Sequence, residues 1–231
     1  MAEASGLTQG IEEYVEAIWR VAGTGRAATK DLAQHLKVAP PSVTGMLKRL
    51  GALGLIEHSP YGKVSLSAKG RRLASTLIRR HRLSERLLTD MLGLPWEKAH
   101  AEACRFEHLI TGEVERHLAA RLGKIDTCPH GHPLDISAAD ESFPLSEARR
   151  ASPVRVMAIA DESPELLCYL SGLGIVPGAR LRVVGKEPFA DGPVLIEVAG
   201  KPRALGRQTA EKIRVMLKND PRQRAKEASR R

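Results

Sequence analysis

Side chains that bind divalent transition metals recur at helical spacing in the segment from Arg79 to His117. The candidates are His81, Glu85, His100, Cys104, Glu107 and His108. Residues three or four positions apart share one face of a helix. A single His or Cys on a helix usually belongs to the core or the surface, but six such residues in register on two neighbouring helices predict a metal site.

Two helices must position these groups. The first ends where Gly93 and Pro95 break the apolar pattern, and Trp96 opens the second, whose apolar positions continue to Val114. If the helices pack as an antiparallel hairpin, the ligands of the first can converge with those of the second.

The composition excludes several classes of protein. The chain of 231 residues has three cysteines and no CxxC pair, which disfavours a disulfide scaffold and a zinc ribbon. It has no apolar run long enough to span a bilayer and no signal-peptide pattern, so a cytoplasmic protein without a membrane partner is expected. Residues 1–80 hold twelve Lys and Arg against six Asp and Glu, whereas residues 81–140 hold seven against ten. The first balance suits nucleic acid and the second suits cations.

The N-terminal segment has the element order of a winged helix-turn-helix. The pattern predicts helices over about residues 11–21, over 30–36 with Thr29 as its cap, and over 41–50. Apolar–polar alternation around a Pro/Gly turn at 59–63 then predicts a β-hairpin. In such a fold the second helix of the helix-turn-helix enters the major groove of DNA.

The outer face of that second helix combines small residues, which allow close approach to base edges, with basic residues that suit phosphates. The predicted DNA contacts are Thr29, Pro41, Ser42, Thr44, Gly45, Lys48, Arg49 and Lys63. The order of the elements is stronger evidence than any one of these residues.

Short strands with turn signals replace helices over residues 153–218, which predicts a small barrel. Residues 141–152 are predicted to be a linker, and the polar, basic tail at 219–231 is predicted to be disordered.

The segment CysProHisGlyHisPro contains three further potential ligands, Cys128, His130 and His132. Its prolines and glycine favour a loop over a metal site.

The stretches HRLSERLLTDMLGL and HAEACRFEH resemble the iron-dependent repressors of the diphtheria toxin repressor type and their manganese-sensing relatives. The resemblance implies a mainly α protein with small β parts. Its domains would be a winged helix-turn-helix at 1–72, a helical metal-binding and dimerisation domain at 73–140, a linker at 141–152, an SH3-like, FeoA-like barrel at 153–218 and a tail at 219–231.

The same resemblance implies a metal-dependent repressor of metal-homeostasis genes that binds palindromic operator DNA as a homodimer. An enzyme is not expected, because the chain has no HExxH helix or paired general base. A winged-helix regulator that uses the helical domain only to dimerise, without metal, is the remaining alternative.

The resemblance places Cys104, Glu107 and His108 in a regulatory metal site, completed from the first helix by Glu13. Iron sensors have methionine at the position of Glu13, and Glu16 also falls where manganese sensors have an acidic ligand. A carboxylate in place of a thioether makes the site harder, which favours Mn(II) over Fe(II), although Cys104 makes the site mixed.

A second, ancillary site is implied at His81, Glu85 and His100. Its barrel ligand would be Asp161, with Glu162 or Glu165 as alternatives.

Overall fold

The computed structural model describes residues 7–23, 25–58, 63–136, 140–186 and 192–217. The chain forms two compact units. The first consists of residues 1–81, 106–115 and 135–137, and the second of residues 82–105, 116–134 and 138–231. The helical segment predicted as a middle domain is therefore divided between the two units.

The first unit contains a winged helix-turn-helix. Its helices are α1 (Gln9–Ala22), α2 (Thr29–Leu36) and α3 (Pro40–Ala52), and its strands are β1 (Ala27–Ala28), β2 (Ile56–His58) and β3 (Lys63–Leu66). Strand β3 pairs antiparallel with both other strands, giving the order β1-β3-β2. The predicted order of elements is confirmed. Of the turn predicted at 59–63, only Lys63 lies within the described residues.

Apolar residues at helical spacing hold the first unit together. Val43, Leu47 and Leu50 on α3 are buried four and three positions apart, so the opposite face of that helix is exposed. Helix α2 begins at Thr29, with Ala28 at the capping position and no side-chain capping bond, so the predicted capping role of Thr29 is wrong.

The helices that carry the predicted ligands are α4 (Ala68–Arg86), α5 (Trp96–Phe106) and α6 (Gly112–Leu122). A π-helical turn, Leu87–Met91, extends α4, and a 3-10 turn, Glu107–Leu109, separates α5 from α6.

The second predicted helix therefore does not continue unbroken to Val114. The hydroxyl of Thr111 accepts a hydrogen bond from the backbone N–H of Val114 at 3.3 Å, and Glu113 and Glu115 occupy the first turn of α6. Both features favour a new helix N-terminus at this point. The 3-10 turn takes His108 out of the helical register that an unbroken helix would have given it with Cys104, four residues earlier.

The second unit contains a six-stranded antiparallel barrel-like sheet in the order β4-β9-β5-β6-β7-β8. The strands are β4 (Phe143–Pro144), β5 (Pro153–Ile159), β6 (Arg180–Lys186), β7 (Val194–Val198), β8 (Lys201–Leu205) and β9 (Ile213–Leu217). Helices α7 (Pro164–Gly172) and α8 (Arg207–Glu211) connect them. Alternate residues such as Val154 and Val156 point into the core, as the strand period requires.

Part of the predicted linker belongs to this sheet. Strand β4 pairs with β9, and Leu145 and Ala148 are buried in the barrel core. These positions are not a solvated linker, because Leu145 and Ala148 are buried in the core and Phe143 packs against it. The tail predicted at 219–231 lies outside the described residues.

Within the described parts of the chain, no helix is both long enough and apolar enough to cross a membrane.

Candidate metal centres and DNA-binding helix

Helix α1 presents two carboxylates on its buried face. Glu12 and Glu16 are four positions apart and both are buried. Glu13 lies about 100° further round the helix, is exposed, and accepts a hydrogen bond from Nε2 of Gln9 at 2.9 Å. Glu13, the ligand predicted from the first helix, therefore does not join the buried carboxylates in this structure.

Glu107 and His108 meet these carboxylates in the first unit. Nδ1 of His108 donates to Oε2 of Glu12 at 2.7 Å, and Nε2 of His108 lies 3.5 Å from Oε1 of Glu107. Nδ1 of His81 donates to Oε2 of Glu107. We refer to Glu12, Glu16, His81, Glu107 and His108 as the first-unit cluster.

The first-unit cluster brings three carboxylates and two imidazoles together. Burial, followed by the nearby charge of Glu107, raises the pKa of Glu16 to about 7 against the opposing effects of His81, Arg20 and His108. Oε1 of Glu16 is buried and has no hydrogen-bond partner among the described residues. Carboxylates and imidazoles are ligands for divalent transition metals, so this donor set fits such a cation.

Four ligand atoms converge in the second unit. Glu85, Cys128, His130 and Glu162 each offer one atom, and these atoms all lie within 4.8 Å of one another. We call these four residues the second-unit cluster. Glu85, Cys128 and His130 are almost completely buried.

A surrounding set of contacts orients the imidazole of His130. Its Nε2 donates to the backbone carbonyl of Trp96 at 2.9 Å, and its ring stacks on the indole with centroids 5.5 Å apart. Nδ1 consequently faces the cluster, 3.3 Å from Oε1 of Glu85. A donor bond of this kind selects the tautomer in which the other nitrogen can bind a metal.

His100 balances the carboxylates of the second-unit cluster. Its Nδ1 lies 2.6 Å from Oε2 of Glu162 and 3.3 Å from Oε1 of Glu85. Burial opposes its charge, but hydrogen bonds with Cys104, Glu162 and Glu85 raise the pKa of His100. Burial and the same two carboxylates raise the pKa of the Cys128 thiol, so a metal ion that binds there must displace a proton.

The segment that carries Cys128 and His130 is an ordered loop. Arg86 donates from Nε to the carbonyl of Thr127 at 2.8 Å, and Arg82 donates to the carbonyl of Pro133. Gly131 has φ +92°, and a Cβ there would lie 1.9 Å from the carbonyl oxygen of Met157. The predicted loop is present, and its residues Cys128 and His130 are also candidate metal ligands. The spacing of Cys128 and His130 in the sequence indicates two potential ligands, but the burial of these residues could not be predicted from it.

The predicted ancillary ligands are only partly brought together within one unit. Glu85 and His100 are neighbours in the second unit, whereas the His81 imidazole belongs to the first-unit cluster. Asp161 instead accepts a hydrogen bond from Nζ of Lys212 at 2.6 Å, which lowers its pKa to about 2. Its neighbour Glu162, one of the predicted alternatives, is the barrel carboxylate in the cluster.

Two other predicted ligands are exposed. Cys104 is exposed on α5, with Sγ 3.7 Å from Nε2 of His100. Glu165 is exposed in the first turn of α7.

Helix α3 exposes the residues predicted to contact DNA. Its exposed positions include Pro41, Ser42, Thr44, Gly45, Lys48 and Arg49. Thr44 is bonded through its hydroxyl to the carbonyl of Pro40 at 3.2 Å. Lys63 is exposed at the start of β3, and Thr29 is half-buried at the start of α2.

A winged helix-turn-helix combined with buried His, Cys and Glu clusters defines a metal-responsive DNA-binding regulator. Comparison with known protein families supports this class. Residues 6–64 match the family described as iron dependent repressor, N-terminal DNA binding domain. Residues 67–135 match its metal binding and dimerisation domain, and residues 143–217 match the FeoA domain.

Individual relatives are similar over most of their length. The iron-dependent repressor IdeR of Mycobacterium leprae is 34% identical over 211 residues, which cover 84% of this chain and 90% of that protein. The diphtheria toxin repressor of Corynebacterium jeikeium is 38% identical over 209 residues, covering 78% and 87% respectively. The structure of a manganese-dependent transcriptional repressor in complex with manganese superposes with a TM-score of 0.81 at 31% identity, covering 90% of this chain and 99% of that chain.

The chain therefore belongs to the family of iron- and manganese-dependent repressors, as its resemblance to the diphtheria toxin repressor type predicted. It is a metal-dependent transcriptional repressor, with an N-terminal DNA-binding domain, a helical dimerisation domain and a C-terminal FeoA domain.

Proposed function

We propose that this repressor responds to Mn(II) and binds palindromic operator DNA as a homodimer. The observation that carries the proposal is the donor set of the first-unit cluster, which contains three carboxylates and two imidazoles. Hard oxygen ligands suit Mn(II), whereas soft thiolate and thioether ligands select other metals. The similarity to a repressor solved with manganese supports the same choice.

The first-unit cluster links two separate segments of that unit. Glu12 and Glu16 lie on α1, which packs against α2 and α3, whereas Glu107 and His108 lie on the 3-10 turn. A divalent cation supplies the positive charge that three neighbouring buried carboxylates require. With that charge in place, these residues hold α1 against the turn, and α1 supports the recognition helix α3. Metal binding shifts the protein toward this arrangement only as far as the metal binds it more tightly than the alternative arrangement.

The identity of the first-helix ligand can be tested separately. Family resemblance favours Glu13, whereas the structure directs Glu12 and Glu16 inward. We propose Glu12 and Glu16 as ligands in the described conformation. Glu12→Gln should weaken Mn(II) binding at least tenfold, and Glu13→Gln on the same helix is the matched control. Loss of binding in Glu13→Gln alone would assign the role to Glu13 and would require α1 to rotate.

Fe(II) is the second candidate effector, and a specific observation favours it. Cys128 in the second-unit cluster is a buried thiol, and a thiolate is a softer ligand than a carboxylate. The relatives named as iron-dependent repressors are consistent with this alternative.

Exposed apolar side chains on the helical segment support the proposed homodimer. In the first unit, Leu109 is 73% exposed, and Phe106 and Val114, close to it in the chain, are also exposed. Large exposed apolar residues in one region are typical of protein interfaces, and homodimers usually have twofold symmetry. Such a dimer would present two recognition helices to a palindromic site.

The decisive experiment is DNA binding by metal-stripped protein, titrated with Mn(II) and, anaerobically, with Fe(II). The probe is duplex DNA from upstream of a manganese-uptake gene of the same genome. Binding at a lower free Mn(II) than Fe(II) concentration is expected. A preference for Fe(II) would make the protein an iron regulator, and equal binding without metal would refute the metal switch.

A further inference from the structure

One strand pair of the barrel is unusually basic. Residues 149–159 and 178–186 together contain six Lys and Arg and no Asp or Glu. These segments include strands β5 and β6, which pair antiparallel in the second unit. Neither metal cluster uses their basic residues.

The pairing places arginines on one outer face. Arg155 and Arg180 are register partners, and Arg182 is paired with Pro153 two positions further along β6. Residues two apart on a strand point to the same side, and the intervening Val154 and Leu181 are buried in the core. Arg150 extends the row, because its Nε donates to the carbonyl of Val184 at 3.1 Å.

The two arginines of β6 carry charge that the described part of the protein leaves unpaired. Arg180 and Arg182 are exposed, and neither forms an ion pair or side-chain hydrogen bond with any described residue. Glu197 is the register partner of Arg182 on β7, yet no ion pair joins them within the described structure.

We propose that this arginine face, formed by Arg150, Arg155, Arg180 and Arg182, is a second DNA-contacting surface that binds the phosphate backbone of a duplex. The proposal rests on the proposed function, since operator binding brings the duplex to the protein. Duplex DNA carries one negative charge per about 1.7 Å of its axis, and arginines two apart on a strand are about 7 Å apart, so the row matches the density of phosphates along a duplex. Guanidinium groups pair with phosphate oxygens through two parallel hydrogen bonds, and such contacts carry no sequence information.

The test compares two double variants of the full-length, metal-loaded protein. Arg180→Gln with Arg182→Gln removes two charges from the face. Lys201→Gln with Arg207→Gln removes two exposed charges elsewhere on the barrel and is the matched control. Affinity for operator DNA and for an unrelated duplex is measured across a range of salt concentrations.

The face variant is expected to bind both duplexes at least tenfold more weakly at low salt. Its plot of log affinity against log salt should be shallower by about 2, because each phosphate contact contributes about 0.9 to the slope. The control should retain the wild-type slope. The thermal midpoint of the face variant should be unchanged, because Arg180 and Arg182 are exposed and form no ion pair with a described residue.

Equal slopes in the two variants would overturn the proposal. So would dissociation of the face variant into monomers in sedimentation, which would identify the face as a contact between copies. If wild-type protein shows no metal-dependent operator binding, the proposed function itself fails. If wild type binds and both variants match it, only the arginine face is refuted.

Discussion

Replacing Glu16 with Gln probes the charge excess of the first-unit cluster. Burial and the nearby Glu107 raise the pKa of Glu16 from its ordinary 4.5 to about 7 in the metal-free protein. The folded chain therefore keeps a proton on this carboxyl up to about pH 7, whereas the unfolded chain loses it near pH 4.5. Because the folded state binds more protons over this interval, its stability must fall as the pH rises.

The size of this effect follows from the difference in proton affinity. The change from 4.5 to about 7 corresponds to about 3 kcal/mol, at roughly 1.4 kcal/mol for each tenfold change. The full stabilisation is present below pH 4.5 and is lost as the pH rises to about 7. Glu16→Gln has no proton to lose and should not show this loss. Its stability relative to wild type should therefore increase by about 3 kcal/mol between pH 4 and pH 8.

The assay is denaturant unfolding of metal-free protein at a series of pH values. Glu13→Gln is the control, because Glu13 is exposed on the same helix. Calorimetry gives an independent readout, since Mn(II) binding near pH 6 should release about one more proton from wild type than from Glu16→Gln. A difference in stability between wild type and Glu16→Gln that stays constant from pH 4 to pH 8 would refute the reasoning.

Gly131→Ala should distort the ligand loop of the second-unit cluster, because the new methyl group would meet the Met157 carbonyl at a positive φ. A loss of about 2 kcal/mol or more in denaturant unfolding is expected, and unchanged stability would contradict the packing described. Cys128→Ser should abolish the thiolate charge-transfer band of the Co(II)-substituted protein, whereas Cys168→Ser, at an exposed cysteine, should retain it. Lys48→Gln should weaken operator and unrelated DNA alike and make the salt slope shallower by about 1, and a loss confined to the operator would instead indicate a base contact.

Much of this protein could be predicted from its sequence because the signals were local. The apolar spacing of Val43, Leu47 and Leu50 follows from helix geometry, and the Pro/Gly-interrupted alternation after α3 follows from strand geometry. The winged helix-turn-helix, the barrel and the metal-dependent repressor class were all confirmed. The edge strands β4 and β8 were not predicted, because β4 has only two residues and β8, Lys-Pro-Arg-Ala-Leu, lacks apolar–polar alternation.

The sequence by itself determined which ligand types are present and which of them share a helix. It did not determine which side of α1 faces the candidate metal centre, because Glu12, Glu13 and Glu16 are all acidic and only packing distinguishes them. Nor did it determine that Cys128 and His130 are buried beside Glu85, since a loop has no period from which burial can be inferred. Contacts between residues far apart in the chain decide both points, and only the tertiary structure shows those contacts.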